Sequence, residues 1–289
     1  MGAKLTTAAG VHDRAGPGAA DVRPADADGI VLRRIESRQE YADCVRMQDE
    51  VWGAGFAERV PATILAITQK VGGVTAGAFA ADGRLLGFVF GLTGVRGGRL
   101  VHWSDMLAVR PEARDRGLGT RLKHYQRELV RPLGVETILW SFDPLVARNA
   151  HLNLNHLGAR VAEYVRDMYG SETGSALHGA LETDRFIAEW DLTGVAPRAG
   201  GAPDPSAPVV NAPAADGTPT DGPLVDAPTV RVQIPDDIHA VLAADPALAR
   251  RWRETTRRAF LWYLDRGYQV GGVGRVGGSG PVSYWLTPS

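Results

Sequence analysis

Leu107-Ala108-Val109-Arg110-Pro111-Glu112-Ala113-Arg114-Asp115-Arg116-Gly117-Leu118-Gly119-Thr120 decides the reading of this chain. An apolar strand ends, a basic turn carries two glycines, and an amphipathic helix begins with Leu118, Leu122, Tyr125 and Leu129 as its apolar stripe. Glycine lets backbone approach a ligand with no Cβ in the way. The free amides and the dipole of a helix start favour an anion. A tight strand-to-helix turn can need glycine for steric reasons alone. Arg114 and Arg116 beside the glycines, with Thr120 as a further donor, point instead to a diphosphate site.

Upstream, a short strand, Ile30–Ile35, leads to Ser37-Arg38-Gln39-Glu40, a capping box opening a helix whose buried face carries Tyr41, Val45 and Trp52. Pro61 suits the first turn of a second helix and Gly72-Gly73 its end. Val74–Ala81 and Arg84–Gly91 flank Asp82-Gly83, a hairpin signal, and Leu100–Val109 is a further strand. Downstream come a helix from about Gly119 to Val130, strand Thr137–Phe142, helix Ala150–Leu157, and strands Ala159–Tyr169 and Arg185–Leu192. Strands alternating with helices, plus hairpins, predict an α/β chain with a mixed sheet and helices on both faces.

Residues 1–29 read as a disordered leader, and 30–193 as the main folded unit. Gly194–Pro228 holds eight of the eighteen prolines and reads as a linker. Residues 229–289 form a small α/β extension: strand Val230–Ile234, helix Ala247–Arg266, and strands Tyr268–Val273 and Val282–Leu286. Its aromatic residues are too many for sixty residues to cover, so it is expected to dock on the main unit or on a second copy in a homodimer. Arg250, Arg251, Arg253, Arg257 and Arg258 read as a solvated face of its helix.

The 289 residues are 44% hydrophobic with net charge −1, which speaks against nucleic-acid binding. Apolar stretches of 11 residues are too short to span a bilayer. A single cysteine, Cys44, permits no internal disulfide, and the N-terminus lacks an apolar secretion signal, so the cytoplasm is the expected compartment. The histidines show no metal-ligand spacing, so no metal is expected. Gly272-x-Gly274-x-x-Gly277 matches a dinucleotide fingerprint in letters, but no helix follows it.

Arg114-x-x-Gly117-x-Gly119 after Leu-Ala-Val-x-Pro resembles the acyl-CoA-binding signature of the GNAT N-acyltransferases, and the element order from 30 to 193 is similar to theirs. Trp140–Leu145, Asn149–Asn153, Leu157-Gly158-Ala159, Tyr169-Gly170 and Thr183–Phe186 resemble a branch with a C-terminal extension, some of whose members are associated with succinyl transfer to amino acids. The resemblance implies a splayed sheet and an acyl-CoA co-substrate, succinyl-CoA preferred and acetyl-CoA next. The acyl group would pass to the amine of a small molecule such as an amino acid. Arg114, Asp115, Arg116, Gly117, Leu118, Gly119 and Thr120 would hold the pyrophosphate. The edge of Leu107–Val109 would bind pantetheine, with the Leu107 amide on the thioester oxygen and Asn149 either on the CoA arm or capping the helix it opens. The alternative is a non-catalytic acyl-CoA-binding or interaction module.

Acyl transfer to an ammonium needs a base. Asp105 shares parity with Leu107 on an unbulged strand and is the first candidate. His102, of opposite parity, is the second, and Glu50 the third. Arg148 or Arg185 is the expected partner of a succinyl carboxylate. Many GNAT enzymes have a tyrosine where this chain has Leu154, so the proton for the departing thiolate must come from Tyr164, Tyr169 or water, or not be needed.

Overall fold

The computed structural model describes residues 22–23, 25, 28–170, 174–175, 181–194 and 204–289. An eight-stranded sheet dominates, in the order β1-β2-β3-β4-β5-β6-β8-β7. Its strands are β1 (Val22–Arg23), β2 (Val31–Arg34), β3 (Val74–Phe79), β4 (Leu85–Arg96), β5 (Arg99–Val109), β6 (Thr137–Phe142), β7 (Arg160–Val165) and β8 (Arg185–Asp191). Every pairing is antiparallel except β5 with β6. This is the mixed α/β architecture that the alternation of periods predicts. Most of the expected leader lies outside the described residues, but Val22 and Arg23 pair with β2 as a short edge strand.

Helices cover both faces, and two apolar clusters record it. On one face α1 (Arg38–Trp52) and α2 (Ala62–Lys70) place Cys44, Met47 and Leu65 against Phe88, Phe90 and Met106. Ser37 caps α1 as the sequence predicts: its hydroxyl accepts from the Glu40 amide at 3.2 Å, and the Glu40 carboxylate accepts from the Ser37 amide at 3.1 Å. On the other face α3 (Leu118–Val130) buries Leu118, Leu122, Tyr125 and Leu129. A short helix follows β6; its first turn, α4 (Ala147–Ala150), widens into a π turn over His151–His156.

Residues 230–288 form a second sheet, β10-β11-β9, from β9 (Val230–Gln233), β10 (Tyr268–Arg275) and β11 (Val282–Pro288), with α5 (Ile238–Ala244) and α6 (Pro246–Asp265). Phe260 and Tyr284 pack edge-on against Phe186 of β8, at 4.7 and 5.6 Å between ring centroids. The reading of a solvated face holds for Arg250, Arg251 and Arg258 of α6 and needs correction for Arg253 and Arg257. Arg253 is fully buried and grips both oxygens of Asp143 at 3.0 and 2.6 Å. Arg257 grips both oxygens of Asp184 at 2.7 Å.

The reading of 194–228 as a linker also needs correction. Residues 195–203 lie outside the described residues, but beyond them Val210 and Asn211 are buried. The Asn211 side chain exchanges hydrogen bonds of 2.9 and 2.8 Å with the Gln233 backbone. Arg231 donates to the Ala207 and Pro205 carbonyls. Prolines remove amide donors here, but side chains and carbonyls supply the packing that regular pairing would have given.

Candidate active site

The sheet opens at one place. β5 and β6 pair only over Val101–Trp103 and Thr137–Leu139, and beyond that rung they part. The backbone of β5 from Ser104 onward therefore has no strand partner on its β6 side. Between the separated strands lies a cleft of about 290 Å³ that passes from one face of the sheet to the other. Trp52, Phe56 and Glu58 line it on the α1 side; Lys123, Asn149 and Leu152 line it on the α3 and α4 side.

One extra residue in β5 shapes the cleft. Phe90 faces Met106 across the β4–β5 ladder while Gly91 faces Ser104, so Asp105 is the additional residue of a β-bulge. The bulge reverses the parity expected for an unbulged strand. Leu107 packs toward α3, its side chain 3.7 Å from the Cβ position of Gly119, whereas Asp105 opens into the cleft beside Glu58. Sequence carries no local mark of this bulge. The cleft walls thin the water around the Asp105 carboxyl and raise its pKa, while a hydrogen bond from the Trp103 side chain opposes the rise and Glu58 adds to it.

The other two candidate bases are not brought to the cleft. His102 is fully buried between Thr93 and Gln126, its ring nitrogens 2.9 and 3.0 Å from their side chains. Burial, reinforced by Lys123, lowers its pKa to about 3. With both nitrogens engaged in the core, His102 is a structural histidine, correcting its place as second candidate. Glu50, at the end of α1, pairs with Arg110 outside the cleft.

The basic turn Arg114–Thr120 does not itself line the cleft; it adjoins it through Gly119, whose Cβ position borders the lining residues Leu107 and Leu152. Asp115 and Gly117 have φ of +60° and +68°. Gly117 caps α3 in the left-handed conformation that glycine adopts freely, and no side chain caps the first amides of the helix. Gly119 differs: a Cβ there would make only ordinary contacts, 3.7 Å to Leu107 and 3.8 Å to Leu152, so the fold itself does not demand glycine. Arg114 donates to the Val109 carbonyl at 3.3 Å, Arg116 pairs with Asp28 at 3.3 Å, and Thr120 follows Gly119 in the first turn of α3.

On the far wall Asn149 lies exposed in the first turn of α4 and lines the cleft; Val146, not Asn149, occupies the cap position. Arg148 is exposed and does not line the cleft, whereas Arg185 lines it, its guanidinium 5.4 Å from the Tyr169 ring centre and 3.6 Å from Asp143. Of the tyrosines, Tyr164 is committed to Asp184, while Tyr169 lines the cleft with its hydroxyl 2.8 Å from Ser141 Oγ. Burial raises the Tyr169 pKa despite the Ser141 contact, keeping it a proton donor.

Several polar lining residues escaped the sequence reading as site residues, among them Glu58, Ser104, Lys123, Ser141, Asp143 and His239. His239 comes from α5 of the C-terminal extension, so residues beyond the main unit complete the cleft wall. Among the described residues no side-chain cluster suits a metal ion, and no helix is long and apolar enough to cross a membrane.

No protein-family model matches the sequence, and no curated protein does. Solved structures are similar over part of the chain. YncA from Salmonella typhimurium, solved with acetyl-CoA, is 15% identical, with TM-score 0.46 over 58% of this chain and 97% of its own. The ribosomal-protein-S18-alanine N-acetyltransferase from Escherichia coli is 16% identical, with TM-score 0.43 over 57% and 96%. A chain of the NatC complex bound to Gag peptide and CoA is 16% identical, with TM-score 0.46 over 57% and 99%. Likeness at this level transfers no residue role and no substrate.

Proposed function

We propose that this chain is an acyl-CoA-dependent N-acyltransferase that moves an acyl group, succinyl before acetyl, to the amine of a small molecule such as an amino acid. The observation that carries the reading is the parting of β5 and β6 beyond Trp103 and Leu139, which opens a cleft holding the Asp105 carboxylate and bounded by Leu107 and Leu152, the two side chains that also border Gly119 of the uncapped turn. A pantetheine arm can add to the free edge of Ser104–Val109 as a strand adds to a sheet. The amides and arginines of Arg114–Thr120 then meet the pyrophosphate, where Gly119 leaves a Cβ volume open. Asn149 supports the arm from the opposite wall.

The acceptor enters from the side of Trp52, Phe56 and Glu58. Asp105 takes a proton from its ammonium, its raised pKa moving it toward the range of an effective base. The freed amine attacks the thioester carbonyl, and the Leu107 amide steadies the oxyanion. As the intermediate collapses the C–S bond breaks and the amide forms; the second proton of the attacking nitrogen leaves to water, and Tyr169 or water protonates the thiolate. The reducing compartment suggested by a lone Cys44 fits a cytoplasmic enzyme of this kind.

Release of free CoA thiol from succinyl-CoA and acetyl-CoA, followed with a panel of amino acids and small amines, tests the reading. Acceptor-dependent thiol release is expected. A thioester that binds yet persists with every amine would leave a non-catalytic acyl-CoA-binding module in its place.

A further inference from the structure

Lys123 breaks the pattern of its own helix. It lies on α3 beside Leu122, yet it is only 2% exposed, and lysine is almost never buried without a partner. Its Nζ sits 2.8 Å from Ser104 Oγ and 3.7 Å from the centre of the Trp140 ring. Ser104 and Trp140 are the first residues of β5 and β6 beyond their last shared rung. The amine therefore occupies the apex of the split, at the closed end of the cleft it lines.

A hydroxyl oxygen and an indole face both suit a cation. Neither neutralises it, and no carboxylate among the described residues lies within ion-pair distance of Lys123. Burial alone holds its pKa well below that of a free lysine. An ammonium has three donors, of which one reaches Ser104 and one the ring. The cleft supplies the approach for an anion that would use the third and repay the cost of burying the charge.

Resting on the acyltransferase reading above, we propose that Lys123 anchors a ligand carboxylate at the apex of the β5–β6 split. The carboxylate belongs either to a dicarboxylic acyl chain or to an amino-acid acceptor, and the two sources separate by experiment. In the first arm, calorimetry on the full chain without acceptor compares succinyl-CoA with butyryl-CoA, of the same chain length but uncharged. In the second, acceptor-dependent thiol release compares L-amino acids with their carboxamides. A carboxylate preference of about tenfold or more is expected in one arm, the scale of a charge-assisted hydrogen bond, and Lys123→Met should reduce it to near unity. Preference in the first arm assigns Lys123 to the acyl chain, and in the second to the acceptor. Equal binding and turnover in both arms of the wild-type chain overturns this inference alone, whether or not the variant folds. A preference that survives in Lys123→Met also overturns it. Failure of every CoA ester to bind overturns the acyltransferase reading and this inference together.

Discussion

The turn before α3 and the face of α6 both carry clustered arginines, and they meet opposite fates. Arg114 and Arg116 stay at the surface beside uncapped helix amides, one on a carbonyl and one on the half-exposed Asp28. Arg253 and Arg257 turn inward and close bidentate pairs with Asp143 and Asp184. The difference lies in what each cluster faces. Around α3, glycine and the left-handed Asp115 and Gly117 keep side chains away from the amides, which leaves room for an external anion. Around α6, the acids are supplied by the chain itself, 110 and 73 residues away. In the proposed function the first cluster serves a ligand, whereas the second fastens the extension to the main unit.

A chain ending at Leu192 breaks the comparison most severely. It loses both arginine partners, bares Phe186 and removes His239 from the cleft, so loss of soluble, cooperatively folding protein is expected. A soluble, fully active truncated chain would show that α6 fastens nothing. Next comes a pair of single variants. Arg253→Ala leaves Asp143 with its principal partner removed, and breaking a buried pair costs about 3–5 kcal/mol, a melting shift of roughly 10 °C. Arg114→Ala should leave melting nearly unchanged and weaken CoA binding instead. Equal melting shifts for the two would erase the distinction.

Asp105→Asn should lower turnover by roughly 100-fold or more, the usual scale for a general base, while CoA affinity changes little because β5 meets pantetheine through its backbone. Steady-state kinetics beside calorimetry separates the two; turnover within a few-fold of wild type would move the base elsewhere, with Glu58 the next carboxylate in the cleft. The smallest effect is one of pH. Burial raises the Asp143 and Asp184 carboxyls, but Arg253 and Arg257 outweigh it and hold both below the ordinary aspartate range. A depressed folded pKa stabilises above the unfolded value, so the contribution is complete above about pH 4 and fades as pH falls through the folded values. Acid unfolding should therefore set in below pH 4, and in Arg253→Ala at a higher pH than in the wild type.

What was legible in the sequence is what local chemistry enforces. The Ser37 box, the glycine turn and the span Thr137–Phe142 are encoded by neighbouring residues. The bulge at Asp105 is not, because it depends on how β4 meets β5, and it moved the candidate base to the face opposite the Leu107 side chain. His102 looked like a strand histidine available for chemistry until Thr93 and Gln126 were seen to hold both ring nitrogens. α5 is seven residues long behind a lone Asp237 cap, too short for a periodic signal, yet it delivers His239. Lys123 is one polar letter within an amphipathic helix, and only the split between β5 and β6 gives it a place to point.

The most direct test of the account is calorimetric titration of CoA into the wild-type chain and into Gly119→Glu. The fold tolerates a Cβ at Gly119, so the variant should melt close to the wild type as far as that contact is concerned, while its side chain and charge fall where the pyrophosphate would lie. Saturable binding to the wild type and none to the folded variant is the predicted result. Equal CoA affinity in the two, or no binding by the wild type, would contradict it.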